Sequence, residues 1–137
     1  MVTNRFITKE DYDTLAQSLK IDEHHNETPP EFFYEDGTVC SVYEDEEGPV
    51  LFARGAAIEY GPYKVIQLDI QYLNNMDARR NMRAMLEGFP ELEDKAKANG
   101  FAGFVFISQV PLLRKFCVKR LGFEQLGEDV LIKRLRE

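Results

Sequence analysis

The stretch YKVIQLDIQYLNNMDARRNMRAMLEG, Tyr63 to Gly88, joins two hydrophobic periods in one run of chain. As far as Tyr72 the residues alternate, with Val65, Gln67, Asp69 and Gln71 on one face and Ile66, Leu68, Ile70 and Tyr72 on the other, which predicts a strand. From about Asp77 to Asn99 a stripe of Met82, Met85, Leu86, Phe89, Leu92 and Ala96 follows the helical period. Pro90 is expected to kink or divide that helix, and Gly100 to end it in the left-handed conformation. A strand feeding a helix start collects unpaired amides and a partial positive charge. The junction therefore either holds an anion or merely begins a helix.

Working outward, TVCSVYEDEEGPVLFARGAAIEY supplies two more strands, and the turns DEEGP and GP set all three in an antiparallel meander. Ahead of them, RFIT reads as a short strand and KEDYDTLAQSL as an amphipathic helix with Tyr12, Leu15, Ala16 and Leu19 on one face. Thr8 suits the N-cap and Asp11 completes a capping box. KIDEHHNETPPEFFYEDG is expected to form a surface loop or a short second helix. Beyond Gly100, FAGFVFIS is an apolar strand of the kind buried on both faces. PLLRKFCVKRLG is a helix with Pro111 in its first turn and Leu113, Cys117 and Leu121 in register, ended by Gly122. FEQLGEDVLIKRL closes the chain as a strand or hairpin.

A chain of 137 residues suits one domain able to bury a core without disulfide or metal support. Its net charge of -7 disfavours nucleic acid and anionic membranes as partners. The charge is segregated: Ile21 to Pro49 contains no Lys or Arg, whereas Arg114, Lys115, Lys119, Arg120, Lys133, Arg134 and Arg136 gather late. Cys40 and Cys117 lack metal or disulfide spacing. There is no signal-peptide pattern at the start and no apolar run near the ~18 residues of a membrane span, so a cytoplasmic protein is expected.

The order β, α, three antiparallel strands, α, β, α, β, together with LDIQYL before a helix, KANGF closing it and CVKRLGFEQLG near the end, resembles the GNAT family of acyl-CoA-dependent N-acyltransferases. The resemblance covers nearly the whole chain as an order of elements and implies one α+β domain, 1–137, with a mixed, mostly antiparallel sheet flanked by helices. It implies acetyl-CoA or another acyl-CoA as donor and an amine as substrate. In that family the strand before the central helix exposes backbone to pantetheine, and a glycine-containing loop aims amides at the pyrophosphate. Here that loop falls on Asp77, Ala78, Arg79, Arg80, Asn81 and Met82, with Arg80 and Met82 in place of the small residues. A side chain there crowds a phosphate, and a forced positive φ costs on the order of 1–3 kcal/mol, so the usual cradle is not expected.

The candidate donor-binding residues are thus Leu73, Arg79, Arg80, Asn81, Met82 and Arg83. Either the guanidinium groups of Arg79, Arg80 and Arg83 take over the phosphate, or these residues form a solvated face paired with acids, Arg83 with Glu87 one turn on. Transfer to an amine also needs a base and an acid. Asp69 and Glu59 are the candidate bases, each acting through water. The family's Tyr, four residues before the terminal Gly, is Val118 here, leaving Tyr72 as the candidate acid and Cys117 as a core residue. Substrate or partner contact, rather than metal binding, is expected of His24 and His25, since adjacent helical side chains diverge by about 100°. No metal is expected. For a substrate, the charge of the acidic loop around them is expected to favour a cationic amine. The alternative is a noncatalytic GNAT-like module that binds a protein partner. Small GNAT-like proteins of tailed phages are similar in lacking the same groups, which would make the chain virion-associated. The residues leave the oligomeric state open.

Overall fold

The structure, a computed structural model, describes residues 1–74 and 76–135; Asn75 in the opening stretch and Arg136 in the late basic group lie outside them. Seven strands run in the order β1-β2-β3-β4-β5-β7-β6. They are β1 (Thr3–Phe6), β2 (Thr38–Asp45), β3 (Gly48–Tyr60), β4 (Tyr63–Tyr72), β5 (Gly103–Ile107), β6 (Glu124–Gln125) and β7 (Val130–Arg134). The helices are α1 (Tyr12–Ile21), α2 (Glu31–Tyr34), α3 (Ala78–Ala98) and α4 (Pro111–Arg120). The two-residue connections of β2 to β3 and of β3 to β4 are too short for a parallel crossover, so these neighbours are antiparallel. The β4–β5 pair is parallel, and β7 is antiparallel to both β5 and β6. The expected mixed, mostly antiparallel α+β architecture is the one observed.

Contacts divide the chain into two compact units. The first comprises Met1–Gly55 and Asp69–Gly88. Its core is built from Leu15, Leu19, Phe33, Cys40, Val42 and Phe52, so the predicted face of α1 is the buried one. β1 pairs with β2 from Thr3–Glu44 to Phe6–Ser41. The chain then leaves the strand, and Thr8 caps a 3-10 turn, Lys9–Asp11, ahead of α1. The Asp11 carboxylate accepts from the Thr8 amide at 2.8 Å, as the capping box requires, and from Arg5 at 2.7 Å. The strand read in RFIT therefore stops at Phe6, because Thr8 is needed by the helix. In α3 the residues turned inward here are Asn81, Ala84 and Met85, whereas Met82 is 40% exposed. Met82 does not belong to the apolar stripe. Its place is taken by Asn81, whose amide has a backbone carbonyl to satisfy.

The second unit comprises Ala56–Leu68 and the chain from Phe89 onward. β4 meets β5 in register from Val65–Gly103 to Leu68–Phe106, and β5 meets β7 from Gly103–Arg134 to Ile107–Val130. Phe89 packs edge-on against Phe104 and Phe123, with ring centres 5.2 and 5.4 Å apart. Lys133 lies over Phe89 and donates to Glu93 at 2.7 Å and to the Leu121 carbonyl at 2.6 Å. Pro90 does not divide α3, which is continuous from Ala78 to Ala98. The helix ends as expected: Gly100 takes φ +80°, and the Phe101 amide returns to the Ala96 carbonyl at 3.0 Å.

The two faces of β4 are the expected ones. Val65, Leu68 and Gln71 are all buried although Leu68 points opposite to the other two, because both faces of this strand are covered.

Candidate functional site

The start of α3 is organised by side chains rather than by glycines. The Asp77 carboxylate stands at the N-cap and accepts from the Arg80 amide at 3.3 Å. The Asn81 side chain, buried in the first unit, donates to the Asn74 carbonyl at 2.9 Å, and the Met76 amide donates to the Asn74 side chain at 2.9 Å. No described non-glycine residue has a positive φ, so the described part of this turn reaches the helix without left-handed backbone.

The three arginines diverge. Arg80 grips Asp45 through two bonds of 2.6 and 2.7 Å and donates to the Gly48 carbonyl at 3.0 Å. This guanidinium holds the Asp45 carboxyl at about 2, below the ordinary carboxylate range. Arg83 makes two bonds to Glu46, at 2.8 and 2.9 Å, and one to Glu87 at 2.6 Å, the pair expected from their spacing. Arg79 is exposed and has no hydrogen-bond or ion-pair partner among the described residues. Leu73 is half-buried against the core, and its amide donates to the Val50 carbonyl at 3.0 Å. Met82 projects outward.

Asp69 lies elsewhere in the first unit, in an open cleft of about 540 Å³ lined also by Glu23, His24, Glu27 and Phe32. Its carboxylate accepts from Arg54 Nη1 at 3.1 Å. Arg54, only 6% exposed, also donates to Glu35 at 2.8 Å and to the Phe32 carbonyl at 2.7 Å, with its guanidinium 3.8 Å from the centre of the Phe32 ring. This buried cation fixes both Asp69 and the loop that forms one wall of the cleft. Two residues on, Gln71 is fully buried and bonded to His25, Ser18 and Asp22.

Tyr72 donates its hydroxyl to the Met85 sulfur at 2.7 Å. Glu59 is exposed and belongs to the second unit. Cys117 is fully buried, and burial pushes its thiol up to about 12, consistent with a core residue. Thus Asp69 and the acidic loop come together, while Arg79, Arg80 and Arg83 take three different environments. Sequence reading missed Arg54 and Gln71. Their signal was present: one arginine inside the apolar run VLFARGAAI, and an uncharged amide at an inward strand position. Among the described residues no cluster of His, Cys, Asp or Glu could hold a metal, and no helix is long and apolar enough to cross a membrane.

No protein-family model matches the chain, and no curated protein does. Solved structures do. A probable acetyltransferase from Staphylococcus epidermidis ATCC 12228 superposes with a TM-score of 0.70 at 15% identity, covering 99% of this chain and 100% of that one. An aminoglycoside acetyltransferase solved with coenzyme A gives 0.73 at 14% identity over 98% of this chain and 95% of the other. The aminoglycoside N(6')-acetyltransferase of Legionella pneumophila subsp. pneumophila str. Philadelphia 1 gives 0.71 at 15% identity over 98% and 92%. At such identities the likeness is one of fold, and the chain has the GNAT-like α+β fold.

Proposed function

We propose that this protein transfers an acyl group from acetyl-CoA or another acyl-CoA to a cationic amine. The observation that carries the proposal is the acidic cleft, where Glu23, Glu27 and Asp69 line one open space beside the Phe32 ring. Such carboxylates, Glu23 and Glu27 above all since Asp69 is paired with Arg54, attract an ammonium ion, most strongly at low salt. The GNAT fold supports the donor half, since structural relatives were solved with coenzyme A or acetyl-CoA.

Bound acyl-CoA would supply an activated thioester. For its phosphates the chain offers the exposed Arg79 at the start of α3, where the Arg80 amide is already capped by Asp77. Arg80 and Arg83 would join only by exchanging a carboxylate for a phosphate, and Asn81 supports the turn through Asn74. Asp69, paired with Arg54 and lining the cleft, is the base candidate, acting through water. Tyr72, whose hydroxyl donates to the Met85 sulfur, is the acid candidate for the leaving thiolate. Glu59 is exposed on β3 and is not among the residues lining the cleft.

The test is thiol release from acetyl-CoA with spermidine or kanamycin as acceptor. Release should depend on the amine, and Glu23→Gln with Glu27→Gln should raise KM for the amine by about 3- to 10-fold while leaving kcat nearly unchanged. No release with any cationic acceptor would remove the transfer reading. A second reading, a noncatalytic module for a protein partner or a phage particle, is favoured by one observation. The two-bond pairs Arg80–Asp45 and Arg83–Glu46 already engage two of the three guanidinium groups. On that reading acetyl-CoA does not bind.

A further inference from the structure

In the second unit the strands β5, β7 and β6 have one buried face and one open face, and the open face is apolar. Phe104, Phe106 and Leu131 point one way and are buried, Phe104 against the Phe89 ring of α3. Strand alternation turns Val105, Ile107, Val130 and Ile132 the other way. The register then sets them side by side: Val105 is opposite Ile132, Ile107 is opposite Val130, and Glu124 of β6 is opposite Ile132 on its other flank. Leu126 extends the row of Ile107 and Val130, its amide donating to the Val130 carbonyl at 2.8 Å. Val105, Val130 and Ile132 are only half-buried, and Ile107 and Leu126 are 50% and 56% exposed.

An apolar strip open to water and edged by polar side chains has the anatomy of an interaction surface. The charges at its margin say what fits it. Glu124 on β6 and Arg134 on β7 lie on the same face as the strip, Arg134 two residues beyond Ile132. Both are exposed, and neither side chain has a hydrogen-bond or ion-pair partner among the described residues. A surface of a single sign, such as an anionic membrane, would attract one of them and repel the other. A second copy of this chain satisfies both, because under a two-fold axis the contact of Glu124 with Arg134 is made twice.

We propose that the protein forms a two-fold dimer through the open face of β5, β7 and β6, with the apolar strip at its centre and a Glu124–Arg134 pair at each side. The proposal concerns assembly and does not depend on the transfer reading. The two faces stack as the sheets of a β-sandwich do, about 10 Å apart, with the side chains of one strip filling the gaps of the other. Burial of the strip supplies the affinity. The charges supply the orientation, since the two-fold arrangement sets each Glu124 against an arginine rather than against its own kind.

The test is the mass of the intact protein in solution. Sedimentation equilibrium at micromolar concentration should give twice the mass of one chain. Leu126→Glu, a change at an exposed position, should give monomer with an unchanged circular dichroism spectrum. Glu124→Arg and Arg134→Glu should each weaken the dimer by about 10-fold or more, because each sets like charges against one another at both sides of the contact. Mixed in equal amounts, these two variants should dimerise with each other, since one brings two arginines to the margin and the other two glutamates. A wild type that stays monomeric at millimolar concentration would overturn the proposal and leave the face to a different protein. A dimer that none of the three substitutions weakens would place the contact on another face, and failure of the mixed variants to pair would overturn the two-fold arrangement.

Discussion

Arg54 occupies a position where the surrounding strand is apolar, and two of its partners, Asp69 and Phe32, line the cleft. It reaches Asp69, Glu35 and the Phe32 carbonyl, so removing it takes the cation away from two carboxylates and a carbonyl. Breaking a buried pair costs several kcal/mol, and the half-exposed Glu35 places this one at the lower end. Arg54→Leu should lose about 3 kcal/mol of unfolding free energy in urea and weaken amine binding as well. A second consequence concerns acid. Asp11, beside Arg5, and Asp45, beside Arg80, are both held at about 2 by their guanidinium partners. Because the folded values lie below the unfolded value of about 3.9, their stabilisation is whole above about pH 4 and is lost as pH falls through about 2. Asp45→Asn should lower the urea midpoint at pH 5, and the deficit relative to wild type should shrink by pH 2.

Among the elements, β5 shows how little room the second unit leaves. A Cβ on Gly103 would collide with the backbone carbonyl of Lys133 on β7, which cannot turn aside as a side chain could. Gly103→Ala should therefore destabilise the protein by about 2–3 kcal/mol, read as a shift of the urea midpoint at unchanged slope. Most elements were legible in the sequence for local reasons. The capping box at Thr8 and Asp11, the tight turns, Pro111 at the start of α4 and the left-handed Gly100 and Gly122 depend on neighbouring residues alone. What local pattern misplaced was decided by packing. Met82 has the right spacing for the stripe but faces out, and Pro90 is accommodated inside a continuous helix.

On the scale of the whole molecule, the acidic cleft follows the charge pattern of the sequence. The acid-rich run from Ile21 to Pro49 forms part of the wall of the cleft, and only folding brings Asp69, some forty residues away in sequence, to the same place. Arg54 and Gln71 stood out in the sequence as polar residues within apolar strands, but the partners they bind come from distant elements and were not legible. The same distance hid the capture of Arg80 and Arg83 by Asp45 and Glu46, which leaves Arg79 as the exposed member of the trio. Isothermal titration of the intact protein with acetyl-CoA tests the central claim most directly. Micromolar binding, weakened about 10- to 100-fold in Arg79→Ala as expected for a lost charged hydrogen bond, is the predicted result. Absence of binding at millimolar acetyl-CoA would contradict it and leave a GNAT fold that serves contact with a protein partner.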